Sequence, residues 1–237
     1  DLKTPLTLIL SPLQRLIQQP QISNNDKEKL EVIYRNANRM NYLINELLTF
    51  SKIEMKQMRI SVRKGDIMHF LEELSHIFDI VAGEREIDFI VNLEDTEEEV
   101  WFSPSKLERI LYNLLSNAFK YTQPGGYVKL SAKLIKEEKE TFVQISVKDN
   151  GRGIPKEAQE QIFESYYQVE KRDHREGFGL GLSLTRSLIH MHKGEIRVES
   201  EINKGSDFIV TLNVSEDAYN PDERSSENIT TEEIQKY

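Results

Sequence analysis

Apolar positions at Leu2, Leu6, Ile9, Leu13 and Leu16 advance by alternating steps of four and three, and Leu10 and Ile17 widen the stripe. That spacing predicts a helix with one apolar face. Pro5 lies inside the pattern, where a missing backbone donor should kink or loosen the helix unless it falls in the first turn. Pro20 and the polar run Ser23-Asn24-Asn25-Asp26 close it, with Asn25 or Asp26 as caps for a second helix. That helix, from about Asp26 to Lys56, keeps strict three-four spacing through Leu30, Ile33, Ala37, Met40, Ile44 and Leu47. Two such helices joined by a short loop form an antiparallel hairpin. One hairpin buries both seams poorly, so the pattern predicts a four-helix bundle formed by two copies, ahead of a hairpin packed only on its own chain.

Beyond residue 57 the pattern changes. Met58–Val62 reads as a short strand, and Asp66 caps a helix carrying Ile67, Phe70, Leu71, Leu74, Ile77, Phe78 and Val81. Ile87–Val91 and Val100–Phe102 are strand-like, with an acidic turn between them and Trp101 as a packing residue. Ser103-Pro104 is a helix start, cap then N1 proline. That helix turns Leu107, Ile110, Leu111, Leu114, Leu115 and Ala118 inward. Tyr127–Lys136 and Thr141–Lys148 are paired strands, Pro155–Phe163 a short helix, and Glu164–Glu176 has no steady period. A helix opening at Gly177–Leu182 ends at Gly194, and Glu195–Ser200 with Ser206–Val214 form a terminal hairpin. The acidic, polar stretch from Ser215 reads as a linker or disordered tail.

Composition changes this picture little. With 38% hydrophobic and 30% charged residues, the 237-residue chain suits one large domain or two smaller ones. The lack of cysteine excludes disulfides, thiolate metal sites and cysteine nucleophiles. The net charge of −9 argues against binding a nucleic-acid backbone. Seven acids against Arg224 and Lys236 place −5 of it beyond Ser215. No apolar run is long enough for a membrane span. Because the first residue is Asp1 rather than Met, the sequence reads as a fragment, and an anchor upstream stays open.

Three stretches carry candidate chemistry. Asp149-Asn150-Gly151-Arg152-Gly153 follows a strand pattern; a carboxylate there can accept from an exocyclic amine such as adenine's, while Gly151 and Gly153 admit a ligand close to the backbone. A plain strand-ending turn uses the same residues. Asn113 and Asn117 stack on one helical face, with Lys120 and Tyr121 a turn further on. A carboxamide oxygen can ligate Mg²⁺, Lys120 can neutralise phosphate and Tyr121 can pack on a base; the alternative is a polar face toward solvent. Gly177, Gly179 and Gly181 at a helix start can present N–H groups to an anion. Neither a dinucleotide-binding G-x-G-x-x-G nor a P-loop is present.

Together these pieces resemble the cytoplasmic catalytic core of a bacterial sensor histidine kinase, over about Asp1–Val214. Asn113–Tyr121 resembles that family's N box, Asp149–Gly153 its first glycine box, Ile162–Gln168 its phenylalanine box and Gly177–Leu182 its second glycine box. The resemblance implies an α+β chain: a dimerisation and phosphotransfer hairpin at 1–57 and an ATP-binding α/β sandwich with a mixed, mainly antiparallel sheet at 58–214. Residues 215–237 would be an acidic linker or tail. It implies that Asp149 binds the adenine amine, that Asn117 holds Mg²⁺, and that Asn113 and Lys120 contact phosphate. Tyr121 would lie near base and ribose, and Gly177, Gly179, Leu180, Gly181 and Leu182 would close a lid, roughly Ile154–Phe178, over ATP. Pro5 would let the first helix bend toward the ATP site.

Asp1-Leu2-Lys3-Thr4-Pro5-Leu6 resembles the segment just after the family's phosphoacceptor histidine. That histidine would directly precede Asp1; His69, His76, His174, His190 and His192 all lie outside the motif. Asp1 would be its general base, and Thr4 would position water for phosphatase chemistry, unless Thr4 is a helix-surface residue or cap. The implied partners are a second copy and a response-regulator receiver domain, separate or fused downstream, with no nucleic acid or membrane contact from this stretch. Two other readings compete: a regulator-docking dimer that binds ATP without transfer, and a gyrase- or chaperone-type ATPase, which the Asp1–Pro5 segment and the seamed hairpin disfavour.

Overall fold

The computed structural model describes residues 3–17, 22–55, 57–96, 98–169 and 179–230. Helices α1 (Lys3–Ile17) and α2 (Asn24–Glu54) form the expected antiparallel pair. Ser23, rather than Asn25 or Asp26, caps α2: its Oγ accepts the Asp26 N–H at 3.2 Å. Pro5 lies within the described span of α1. Pro12 stands in its interior and removes one rung of the helical ladder.

The expected strand at Met58–Val62 lies a few residues later. Only Val62 forms a bridge there, and β1 is Arg63–Asp66, antiparallel to β3 (Glu99–Phe102). Asp66 then caps α3 (Ile67–Arg85), its Oδ1 accepting the His69 N–H at 3.0 Å. The main sheet takes β2 (Asp88–Leu93), β4 (Tyr127–Glu137), β5 (Glu140–Asp149), β7 (Gly205–Asn213) and β6 (Glu195–Glu201), in the order β2-β4-β5-β7-β6. Only β2–β4 is parallel. One face buries Val128, Leu130 and Ala132 of β4 and Val143, Ile145 and Val147 of β5 at period two. Against it pack α3, α4 (Pro104–Tyr121) and α5 (Gly181–Met191), around Phe70, Phe102 and a stacked Phe78–Phe119 pair.

The Ser103 hydroxyl makes no cap bond for α4. Its backbone N–H instead donates to Nε2 of His192 at 3.2 Å, and His192 Nδ1 bonds the Leu188 carbonyl at 3.0 Å. This fully buried imidazole therefore carries its proton on Nδ1 and ties the start of α4 to the end of α5. Burial, followed by the nearby Lys106 charge, opposes its protonation beyond what the Leu188 bond restores, and its pKa falls to about 4.

Two features correct the sequence reading. Pro155–Phe163 is not one helix but two short 3₁₀ turns, Lys156–Ala158 and Gln161–Phe163. The stretch beyond Ser215 does not trail away: as far as Thr230 it is a strap laid across the β1 side of the domain. Glu223 O accepts the Val62 N–H at 2.8 Å, the Ser225 N–H donates to Val62 O at 2.9 Å, and the Ile229 N–H to Lys64 O at 2.9 Å. Tyr219 is buried with Ile60 and Val62, and Trp101 packs on that cluster. Ile229 sits over Gly65, where a Cβ would meet its side chain at 2.8 Å. Charge did not decide this segment; two anchoring apolar side chains and its backbone hydrogen bonds did. Among the described residues no helix is long and apolar enough to cross a membrane.

Candidate functional site

Helix α4, the end of β5 and the start of α5 converge on a cavity of about 640 Å³. Asn113, Asn117, Lys120 and Tyr121 reach it from α4 because they share the face turned away from the sheet. Asp149 is 4% exposed at the end of β5, and its Oδ1 accepts the Gly151 N–H at 2.8 Å. Burial pushes this carboxyl above its ordinary range despite N–H donation from Gly151 and Ser206, and Asp207 adds to the rise. A buried carboxylate with unfilled lone pairs is a strong acceptor for a ligand N–H.

The glycines meet two different needs. Gly153 (φ 70°) and Gly179 (φ 70°) occupy the left-handed region. Gly151 and Gly181 are required for room: a Cβ on Gly151 would run into the Tyr121 carbonyl oxygen, and one on Gly181 would lie 2.6 Å from Asn113 Oδ1. Gly153, Gly179, Leu180, Gly181 and Leu182 all line the cavity, whereas Gly151 lies behind Asp149. Asp1 and Gly177 fall outside the described residues, as does the side chain of Thr4.

Asn113 is placed differently from Asn117. It is 9% exposed, and its Nδ2 donates to Thr185 Oγ1 on α5 at 2.7 Å. Lys120 Nζ bonds the Tyr121 hydroxyl at 3.1 Å, and the Arg152 guanidinium lies 4.3 Å from the Tyr121 ring centre, a cation–π arrangement. Sequence reasoning misses Arg152 and Thr185. Arg152 sits within the Asp149–Gly153 motif, so a signal is present; Thr185 lies in an apolar helical run that gives none. Among the described residues no cluster of three His, Asp or Glu side chains could hold a metal, so oxygen donors there would be carboxamides and ligand phosphates.

Helix α2 approaches the same cavity. Asn38 and Glu46 line it, Arg109 donates to Thr49 Oγ1 at 2.8 Å, and Phe50 meets Tyr166 edge-on at 6.3 Å.

The family model "His Kinase A (phospho-acceptor) domain" matches residues 1–56, and "Histidine kinase-, DNA gyrase B-, and HSP90-like ATPase" matches residues 102–216. Histidine kinase P4 of Formosa agariphila is 36% identical over 90% of this chain and 16% of its own length. Sensor histidine kinase WalK of Bacillus subtilis is 33% identical over 92% of this chain and 36% of its own. The chain thus spans well under half of these relatives. Among solved structures, the catalytic domain of histidine kinase ThkA is 26% identical, with TM-score 0.57 over 68% of this chain and 100% of that one. Full-length ShkA in complex with AMPPNP shares the fold, at 24% identity and TM-score 0.76 over 90% of this chain and 44% of that one. A phosphoacceptor-type helical region stands ahead of an ATPase-type domain, and the chain belongs to the sensor histidine kinase family.

Proposed function

We propose that the chain binds Mg-ATP in the α4–β5–α5 cavity and transfers the γ-phosphoryl group to a histidine directly preceding Asp1, from which it passes to a response-regulator aspartate. The observation that carries this reading is the buried Asp149 carboxylate at the floor of a cavity whose opposite wall presents Asn117 and Lys120. Asp149 accepts the adenine amine, and Tyr121 with Arg152 flanks the base. Lys120 neutralises phosphate charge. Mg²⁺ fits the donor set, since it keeps most of its shell as water and phosphate oxygen and asks one or two oxygens of the protein; Asn117 would hold it. Bound there, it would neutralise charge on the transferring group.

Transfer breaks the bond from the γ-phosphorus to the β–γ bridging oxygen and forms a nitrogen–phosphorus bond, with ADP leaving. Asp1 takes the imidazole proton, and Thr4 orients water for hydrolysis of the phospho-aspartate on the partner regulator, which releases inorganic phosphate. Two copies pair through α1 and α2 into a four-helix bundle, which would cover the exposed α2 seam. The test is a chain extended to include a histidine before Asp1, incubated with γ-labelled ATP and Mg²⁺. Acid-labile, alkali-stable label lost in Asn117→Ala is expected. ATP binding without label would favour a regulator-docking dimer instead, and no ATP binding would remove the site assignment.

A further inference from the structure

Helices α4 and α5 form the two walls of the phosphate end of the cavity, and they belong to segments far apart in the chain. Among the described residues, polar contacts tie them at both ends. At the far end Ser103 meets His192. At the cavity end Asn113 Nδ2 donates to Thr185 Oγ1 at 2.7 Å, with Thr185 1% exposed and Asn113 9% exposed. The same carboxamide presses its Oδ1 on Gly181, the first residue of α5, at the point where any Cβ would clash. Asn113 is thus gripped from two sides by α5: by a hydroxyl from Thr185 and by the bare Cα of Gly181.

This grip matters because of what lies one turn on. Asn117 is four residues from Asn113 on the same face of α4, and Lys120 follows it. Shifting α4 along α5 would carry both away from Leu180–Leu182, which line the same cavity. Position 185 is buried on α5, as are Leu184 and Leu188, and a valine has the same shape as the threonine. A hydroxyl there adds nothing to hydrophobic burial. Its structural partner is the carboxamide.

We propose that Thr185 is a positioning residue for the phosphate end of the nucleotide site: its hydroxyl fixes the Asn113 carboxamide over Gly181, and this sets Asn117 and Lys120 of α4 against the start of α5. Asn113 then acts as the latch between the walls rather than as a direct phosphate contact. The inference rests on the nucleotide reading above and refines it. It predicts a split. Recognition of the base, at Asp149 on β5, is independent of the latch; recognition of the triphosphate depends on it.

The experiment measures Mg-ATP binding by calorimetry and adenosine binding by competition, in the wild-type chain, Thr185→Val and Thr185→Ser. Valine removes the acceptor at constant shape, and Mg-ATP should bind about tenfold more weakly while adenosine changes less than about twofold. Serine, which restores the hydroxyl, should return Mg-ATP affinity to within about twofold of wild type. Equal loss of both ligands, no loss of either, or failure of serine to rescue would overturn the proposal and leave Thr185 as a packing residue. If Thr185→Val does not fold, Thr185→Ala removes the same acceptor and should give the same split; an unchanged ratio of the two affinities there overturns it. A wild-type chain that binds no Mg-ATP would overturn the nucleotide reading itself, and that outcome is visible before any variant is made.

Discussion

In α2, Val32, Ile33, Met40 and Leu47 stand 47–55% exposed, whereas in α4 Leu107, Ile110, Leu111, Leu114 and Leu115 are sealed at 0–1%. Both helices are built on the same three-four spacing. The difference lies in what the chain supplies to cover the stripe. α4 is roofed by the five-stranded sheet and flanked by α3 and α5; among the described residues α2 is covered by α1 and meets the domain near its end, through Glu46, Thr49, Phe50 and Ile53. Periodicity therefore reports a face that must be buried, and says nothing about whether the same chain buries it. Exposed apolar patches of this kind mark interaction sites.

Core damage should break the contrast most strongly. Phe102→Ala empties a fully buried site against Phe70 and should cost about 4 kcal/mol in the sheet domain, read as a lower thermal midpoint. Acidification comes next. His192 is depressed from 6.5 to about 4, so the unfolded chain gains this proton first as pH falls. Its contribution is intact above pH 6.5 and is lost progressively down to about 4, roughly 3 kcal/mol in all. Urea titrations across that window should show a slope that His192→Gln flattens; an unchanged slope would exclude this imidazole as its source.

Asp149→Asn tests the site rather than the core. Mg-ATP affinity should drop on the order of tenfold, with stability equal or higher because a buried charge is removed. In the wild type the carboxyl is raised above 3.8 by burial, so affinity should already decline on acidification before that value is reached, as the acceptor takes up its proton. The smallest effect belongs to the hairpin. Met40→Ser should change single-chain unfolding by less than about 1 kcal/mol, since the side chain is 55% exposed. It should nevertheless raise the concentration at which two copies separate, measured by sedimentation on dilution; no change there would remove Met40 from the dimer seam.

Much of this architecture is legible in the sequence, and the exceptions share a cause. Period-two and three-four patterns locate the main sheet and the five α-helices among the described residues, and the Asp66 cap and Ser103-Pro104 start fall where expected. The misjudged places depend on partners distant in sequence. The strap reads as tail because its acids outweigh Tyr219 and Ile229, whose value appears only once Val62 and Gly65 lie beneath them. Asn113 reads with Asn117 as a phosphate-facing pair, and its bond to Thr185 appears only with the arrival of α5, 72 residues later. His192 carries no signal either, since Ser103 is 89 residues away. Pro12 is the opposite case: it stands within the first apolar stripe and needs no distant partner to be noticed.

The strap also settles where the domain's two ends meet. Val62, at its entrance, is hydrogen-bonded on both sides to Glu223 and Ser225, near its exit. The path between them is consequently a closed ring fastened by backbone bonds, with the buried Ile60 and Ile229 lying outside it. A circular permutant that joins Ser225 to Val62 through a short linker and opens at the exposed Glu138–Lys139 turn keeps every strand pairing of the sheet. Anything attached at either end therefore departs from one shared corner of the domain.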